Sequence, residues 1–404
     1  MASPRLETRP RITLRALFLG ALTIGVTFYY AITEVQGHGV GGFVLSQMPI
    51  LVLVPFFSWL FLNVVLKWVW PALALRRDEL LTIFCMLWVV GTVPHIGWSS
   101  YWVIVLGIPT YFASAENQWA EIFFDLVPWH LFPESTAWVI DGVWQGLPQG
   151  AAIPWEGWMG PIAQWLGVSM GLVVFGFCLV ALFQRQWEAN EKLTFPLAQL
   201  PLDLTAGFDS SSRLPDIFRS RLFWIGFFLV FGVVAYNVVT YFSPGMTPMR
   251  IYWERYLIEF EKPYPTIRVR IMPLIMAVTY LCPLDILGSM VFFHLLAKGK
   301  MGAIDRLGLS FGEEGRTLTS NTVLHLESYG AMIFIGLWTI WLARGHLRRV
   351  WQQVRTGTGD RAEVRLSRLV VGGLVLSAAY VMSWLVMLGM SPQLAVLVGR
   401  FHKC

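Results

Sequence analysis

The residue best placed to do chemistry is Asp285, which follows Tyr280-Leu281-Cys282-Pro283 inside an apolar run from Ile271 to Ala297. A carboxylate within hydrocarbon costs about 2.5–3.5 kcal/mol on insertion scales unless it faces a polar cavity or a partner. Asp285 therefore has two readings. It binds an ion, a proton or a substrate at a broken helix, as in many secondary transporters, or it caps the half-helix that follows Pro283. His95 lies beside Pro94 in a second interrupted run. It either lines a path or bonds a backbone carbonyl that the proline frees. The third candidate is the stretch Glu191-Lys192-Leu193-Thr194-Phe195-Pro196, continued by Gln199, Pro201 and Asp203. Pro196 and Pro201 interrupt helices and Thr194 can bond locally, so the stretch is a re-entrant turn or an amphipathic cytoplasmic linker. Trp119, Trp129, Trp138, Trp144, Trp155 and Trp158 form a last group, with carbohydrate stacking or interfacial anchoring as its readings.

The chemistry missing from the chain is equally informative. It holds no P-loop, HExxH, GxSxG or dinucleotide fingerprint in a suitable context. Cys85, Cys178 and Cys282 lie within apolar runs, Cys404 is terminal, and no CxxC or His/Cys cluster occurs, so neither a zinc site nor a disulfide framework is expected. The expectation is a protein that is not an enzyme, carries no cofactor or metal, and binds no nucleic acid. The match to GxxxG at Gly142–Gly146 falls in a loop and carries no weight.

The elements that position these residues are apolar and long. Charged residues make up 14% of the chain where a soluble protein has about a quarter, and 20 residues are Trp, an amphipathic ring suited to membrane interfaces. The run Trp165–Phe183 is 19 residues without a charge, enough to cross about 30 Å of hydrocarbon, and it ends in Arg185 beside Trp187. Further runs are Leu14–Ile32, Phe43–Leu66, Phe223–Phe242, Ser328–Ala343 and Val370–Leu388. Two more are interrupted: Leu80–Ala113 at Pro94–Gly97, and Ile271–Ala297 at Cys282-Pro283. The fold class is thus an all-α, polytopic integral membrane protein with about eight to nine transmembrane helices, broken or re-entrant segments included. The whole chain, 1–404, is expected to form a single transmembrane domain.

Charge orients the spans. The basic head (Arg5, Arg9, Arg11, Arg15) has no small-residue cleavage site after the first run, which is therefore a retained helix with a cytoplasmic N-terminus. No Lys or Arg occurs between Arg77 and Arg185, so Ser114–Gln164, acidic and Trp-rich, is an external loop. Arg185, Lys192, Arg213, Arg219 and Arg221 are cytoplasmic. Simple alternation then puts the seven bases from Arg344 to Arg368 outside, against the positive-inside rule. A re-entrant Ile271–Ala297 removes the conflict, and the parity of spans between 223 and 343 is left open. The two Pro-broken runs lie about 190 residues apart, as in a transporter with internal repeats, although they do not visibly align.

Four stretches carry a resemblance: Glu116–Leu131 (ENQW…LVPWHL), Gln184–Leu204 (QRQWEANEKLTFPLAQLPLDL), Tyr280–Leu296 (YLCPLDILGSMVFFHLL) and Tyr329–Leu347 (YGAMIFIGLWTIWLARGHL). They resemble a group of uncharacterised bacterial polytopic membrane proteins, a domain-of-unknown-function family. The EKLTFPLAQLPL part is also similar to the Pro-containing segment of the oligopeptide transporter superfamily, whose members move peptides or metal chelates with protons. Members of the uncharacterised group run well past 404 residues, so the chain is expected to be C-terminally truncated. The resemblance implies a multi-pass protein of the bacterial cytoplasmic (inner) membrane. Its leading function is a secondary transporter-like permease for a small solute, a peptide or metal chelate, coupled to an ion gradient. Asp285, His95, Glu191, Thr194 and Pro196 are the pathway candidates. The alternative is a non-catalytic structural or assembly subunit of a larger membrane complex. The expected partners are the lipid bilayer, the solute, and other membrane subunits or further copies of the chain.

Overall fold

A computed structural model describes residues 12–36, 48–91, 101–134, 136–193, 195–209, 214–243, 245–249, 256–262, 264–269, 272–309, 319–391 and 393. The chain opens with α1 (Leu14–Tyr30), prolonged by a π-helical turn at Ala31–Gln36, then α2 (Ile50–Val69), α3 (Arg77–Val90) and α4 (Tyr101–Tyr111). Two short helices follow, α5 (Trp119–Ile122) and α6 (Ala137–Gln145), and then the 31-residue α7 (Trp155–Arg185) with a π-helical turn at Gln186–Asn190. Next come α8 (Pro196–Leu204), α9 (Arg221–Phe242) and an antiparallel hairpin of β1 (Tyr256–Ile258) with β2 (Ile267–Val269). The last elements are α10 (Pro273–Tyr280), α11 (Leu284–Leu307), α12 (Ser320–Leu342), α13 (Arg344–Thr356) and α14 (Arg361–Met387).

Among the described residues the fold is all-α apart from that hairpin, and six stretches, in α1, α2, α7, α9, α12 and α14, are long and apolar enough to cross a membrane. The break expected at Cys282-Pro283 has a structural counterpart, as α10 stops at Tyr280 before α11 begins at Leu284. The break expected at Pro94–Gly97 lies outside the described residues. The stretch Ser114–Gln164 is not an irregular loop, because it holds α5, α6 and the first ten residues of α7. Gly142 likewise sits in α6, not in a loop.

The chain divides into two compact units, residues 1–101 with 194–298, and 102–193 with 299–404. In the first, α2 presents Val52, Phe56 and Leu60, and α3 presents Leu80, Ile83, Phe84 and Leu87, at the three-and-four spacing that puts side chains on one helix face. Phe56 and Phe84 meet edge to face, 4.8 Å between ring centres. Gly20 brings α1 close, since a Cβ there would lie 2.5 Å from Met86 Sδ. The Thr13 hydroxyl accepts from the Ala16 amide to cap α1 and donates to Glu79 Oε1 at 2.7 Å. Glu79 Oε2 also accepts from the Arg76 amide at 3.0 Å, so one buried carboxylate ties the starts of α1 and α3 together. Between α2 and α3, the fully buried Asn63 accepts from the Leu75 amide at 2.6 Å and donates to its carbonyl at 3.1 Å. It replaces the partners that this connector cannot find in a helix.

In the second unit the main contact runs between α7 and α14. Gly167 and Gly171, four residues apart, admit Tyr380: a Cβ would lie 2.4 Å from its hydroxyl at Gly167 and 2.8 Å from its ring at Gly171. This is the small-xxx-small device by which membrane helices approach, and it sits here and not at Gly142–Gly146. Trp165 stands edge-on to Trp384 at 4.8 Å and donates to the Leu131 carbonyl at 3.0 Å. Trp158, buried, donates to the Val139 carbonyl at 3.0 Å, and Trp144 stacks on Tyr111 at 5.0 Å. Trp144 and Trp158 are therefore packing residues, whereas Trp138 and Trp155 are more than half exposed.

Candidate functional site

Asp285 is the second residue of α11, directly after the break, and is exposed. The Asp285 carbonyl accepts from Ser289 Oγ at 2.7 Å, while its carboxylate bonds no other described residue. Pro283 supplies the start of the helix, and the first-turn carboxylate faces the positive end of its dipole. Asp285 thus stands at a helix start, and its carboxylate oxygens bond no other described residue there.

The Glu191–Pro196 stretch falls where the chain leaves the second unit for the first. After α7 the backbone widens to a π turn in which the Glu191 amide donates to the Gln186 carbonyl at 3.0 Å. Gln186, nearly buried, donates from Nε2 to Glu191 Oε1 at 3.2 Å and accepts from Asn190 Nδ2 at 2.5 Å. Lys192 then takes a left-handed conformation (φ 50°) and turns the chain. Glu191 is accordingly held by its own turn. Thr194 and His95 lie outside the described residues, and Pro196 is the first residue of α8.

The segment after Pro196 is an amphipathic helix docked on the first unit, which favours the linker over the re-entrant turn. Leu204 and Phe208 join the α2–α3 core, with Leu197 and Leu200 against it. Its C-terminal carbonyls meet cations, as helix C-termini favour. Arg77 donates from Nη2 to the Leu202 carbonyl at 3.1 Å and from Nε to Thr205 Oγ1 at 3.4 Å. Lys67 donates to the Phe208 carbonyl at 2.5 Å and lies 4.8 Å from the centre of its ring.

A cleft of about 410 Å³, lined by none of the candidate residues above, lies in the second unit, between the end of α7, α13 and the start of α14. Arg185 donates to Glu363 Oε1 at 2.7 Å, and His346 donates from Nε2 to the Leu182 carbonyl at 2.8 Å. Ser367 donates to Gln353 Oε1 at 3.1 Å. Arg349 also lines the cleft. Arg185 and Glu363 lie 178 positions apart in the sequence and Leu182 and His346 164 apart, so no local motif could announce the cleft; its signal was the basic run itself. Among the described residues no group of three or more His, Cys, Asp or Glu side chains could hold a metal ion.

No curated protein and no solved structure matches the chain. One family model does, and it covers residues 6–402. The chain therefore belongs to DUF6785, a family of unknown function.

Proposed function

We propose that this chain is a secondary transporter-like permease of the bacterial cytoplasmic membrane, with Asp285 as the ion- or proton-coupled carboxylate of its path. The observation that carries this reading is the break between α10 and α11, which leaves a carboxylate on the first helical turn bonded to no other described residue. Discontinuous helices of this kind, with polar groups at their free ends, serve ion and substrate binding in transporters. A peptide or a metal chelate is the solute class that the oligopeptide-transporter similarity suggests.

The bonds around the cleft support a topology. They place the Arg344–Arg368 linker against the end of α7, on the same side as Arg185, and positive-inside makes that side cytoplasmic. α9 then leads out and α12 leads back in, so α10 and α11 together return to the side from which they started. The pair is re-entrant, with Asp285 near its apex, and the path comprises seven crossings plus this element. Cysteines placed at Lys262 and Asp305 should both react with an impermeant external thiol reagent, and one at Arg355 should not. Labelling of Lys262 and Asp305 from opposite sides would exclude the re-entrant pair.

The functional test uses the full chain in proteoliposomes with a trapped pH dye, challenged with a panel of short peptides and metal chelates. Solute-dependent proton entry should fall about tenfold or more in Asp285→Asn. Equal entry in the two proteins, or no coupled entry with any solute, would defeat the permease reading. The assembly-subunit reading would then gain, and one observation already favours it: α9 has no buried residue and α12 only Ser320, so both helices offer broad apolar faces to lipid or to other subunits. Stoichiometric partners co-isolating with the chain would be its mark.

A further inference from the structure

We infer that the cleft between α7, α13 and α14 binds the phosphate of an anionic phospholipid. Two guanidinium groups line it. Arg185 is held in place by Glu363, whereas Arg349 has no bond to any described residue. With Glu363 offset by Arg185, the lining keeps one positive charge that the protein does not neutralise. Gln353 adds a donor, because its oxygen is taken by Ser367 and its amide nitrogen bonds no described residue. A guanidinium with a neighbouring amide N–H is the donor set that a phosphate oxygen pair accepts from.

The rest of the wall is apolar, with Leu182, Leu366 and Val370 among its residues. A free anion gains nothing from such a wall, whereas a phospholipid sets its glycerol and first methylenes there. The helix that carries Arg349 is itself interfacial in character. α13 half-buries His346, Leu347, Val350, Gln353 and Val354 along one stripe and leaves Arg348, Arg349, Trp351 and Arg355 exposed, of which Arg349 alone borders the cleft. Its first residue, Arg344, lies 4.7 Å from the centre of the Trp341 ring. Basic pockets at the cytoplasmic ends of membrane helices collect anionic headgroups, and this one is about the size of a headgroup site.

The test is native mass spectrometry of the full chain, titrated with phosphatidylglycerol or with phosphatidylcholine. Phosphatidylglycerol should bind more tightly, and Arg349→Ala should weaken it about tenfold. Arg355→Ala, a charge-matched change on the exposed face of the same helix, should leave it unchanged. Because Arg349 bonds no described residue, its loss should not alter thermal unfolding, so a weakened lipid affinity would not reflect misfolding. Equal binding of the two lipids, or equal losses in Arg349→Ala and Arg355→Ala, would overturn the site in favour of diffuse attraction. Displacement of the lipid by millimolar inorganic phosphate or a nucleoside monophosphate would overturn the lipid as source and assign the cleft to a soluble phosphate ester.

Discussion

Lys67 and Arg77 in the first unit, and Arg185 and Arg349 in the second, are basic residues in or beside the polar connections between apolar helices, and hydropathy treats all four alike. The fold uses them differently. Lys67 and Arg77 spend their donors on the carbonyls of Leu202 and Phe208, which closes α8 onto the α2–α3 core. Arg185 pairs with a carboxylate at the rim of a cleft, and Arg349 enters that cleft with its donors free of any described residue. The contrast separates two roles that the positive-inside rule merges. A cation that caps a helix C-terminus is a structural clamp, and a cation left over beside an apolar wall is a binding group.

Three substitutions sharpen that comparison. The largest loss is expected for Asn63→Ala, which strips both backbone partners from Leu75 in a site closed to water, at about 2–4 kcal/mol. Thermal unfolding in detergent, followed by far-ultraviolet circular dichroism, should show it plainly. Arg77→Ala should cost about 1–2 kcal/mol, because Leu202 and Thr205 each lose a charge-assisted donor but Thr205 keeps its bond to the Pro201 carbonyl. Limited proteolysis at 209–214 is a direct readout of α8 coming loose. Glu363→Gln should leave the unfolding temperature nearly unchanged, since the pair it breaks is open to solvent, the side chains being 64% and 39% exposed. Should Glu363→Gln prove as damaging as Arg77→Ala, the two basic clusters would have to be treated as one kind.

Much of the helical layout was legible because it follows from local chemistry. Uncharged runs mark α1, α2, α7, α9, α12 and α14, and the Cys282-Pro283 step marks the end of α10, since proline cannot continue the preceding helix. The start of α7 was not legible. Trp155–Gln164 carries Glu156, Gln164 and Pro161, and its helical state depends on Gly157 and Trp158 packing against Val139, a contact with a residue some twenty positions earlier. The cleft was hidden for the same reason, as its walls come from two stretches more than 150 residues apart. Asp285 could be located at a helix break from sequence, but whether its carboxylate was spent on a cap required coordinates.

The route of the chain also has a consequence in time. The α1–α3 core is covered by Leu204 and Phe208, which are made after the whole of 102–193 has been inserted into another unit. Between Leu87 and Phe208 lie about 120 residues, and at 5–20 residues per second the ribosome needs roughly 6 to 24 s to supply them. For that interval the surface that α8 will cover stands open, and any folding factor that attends this chain has its longest task there.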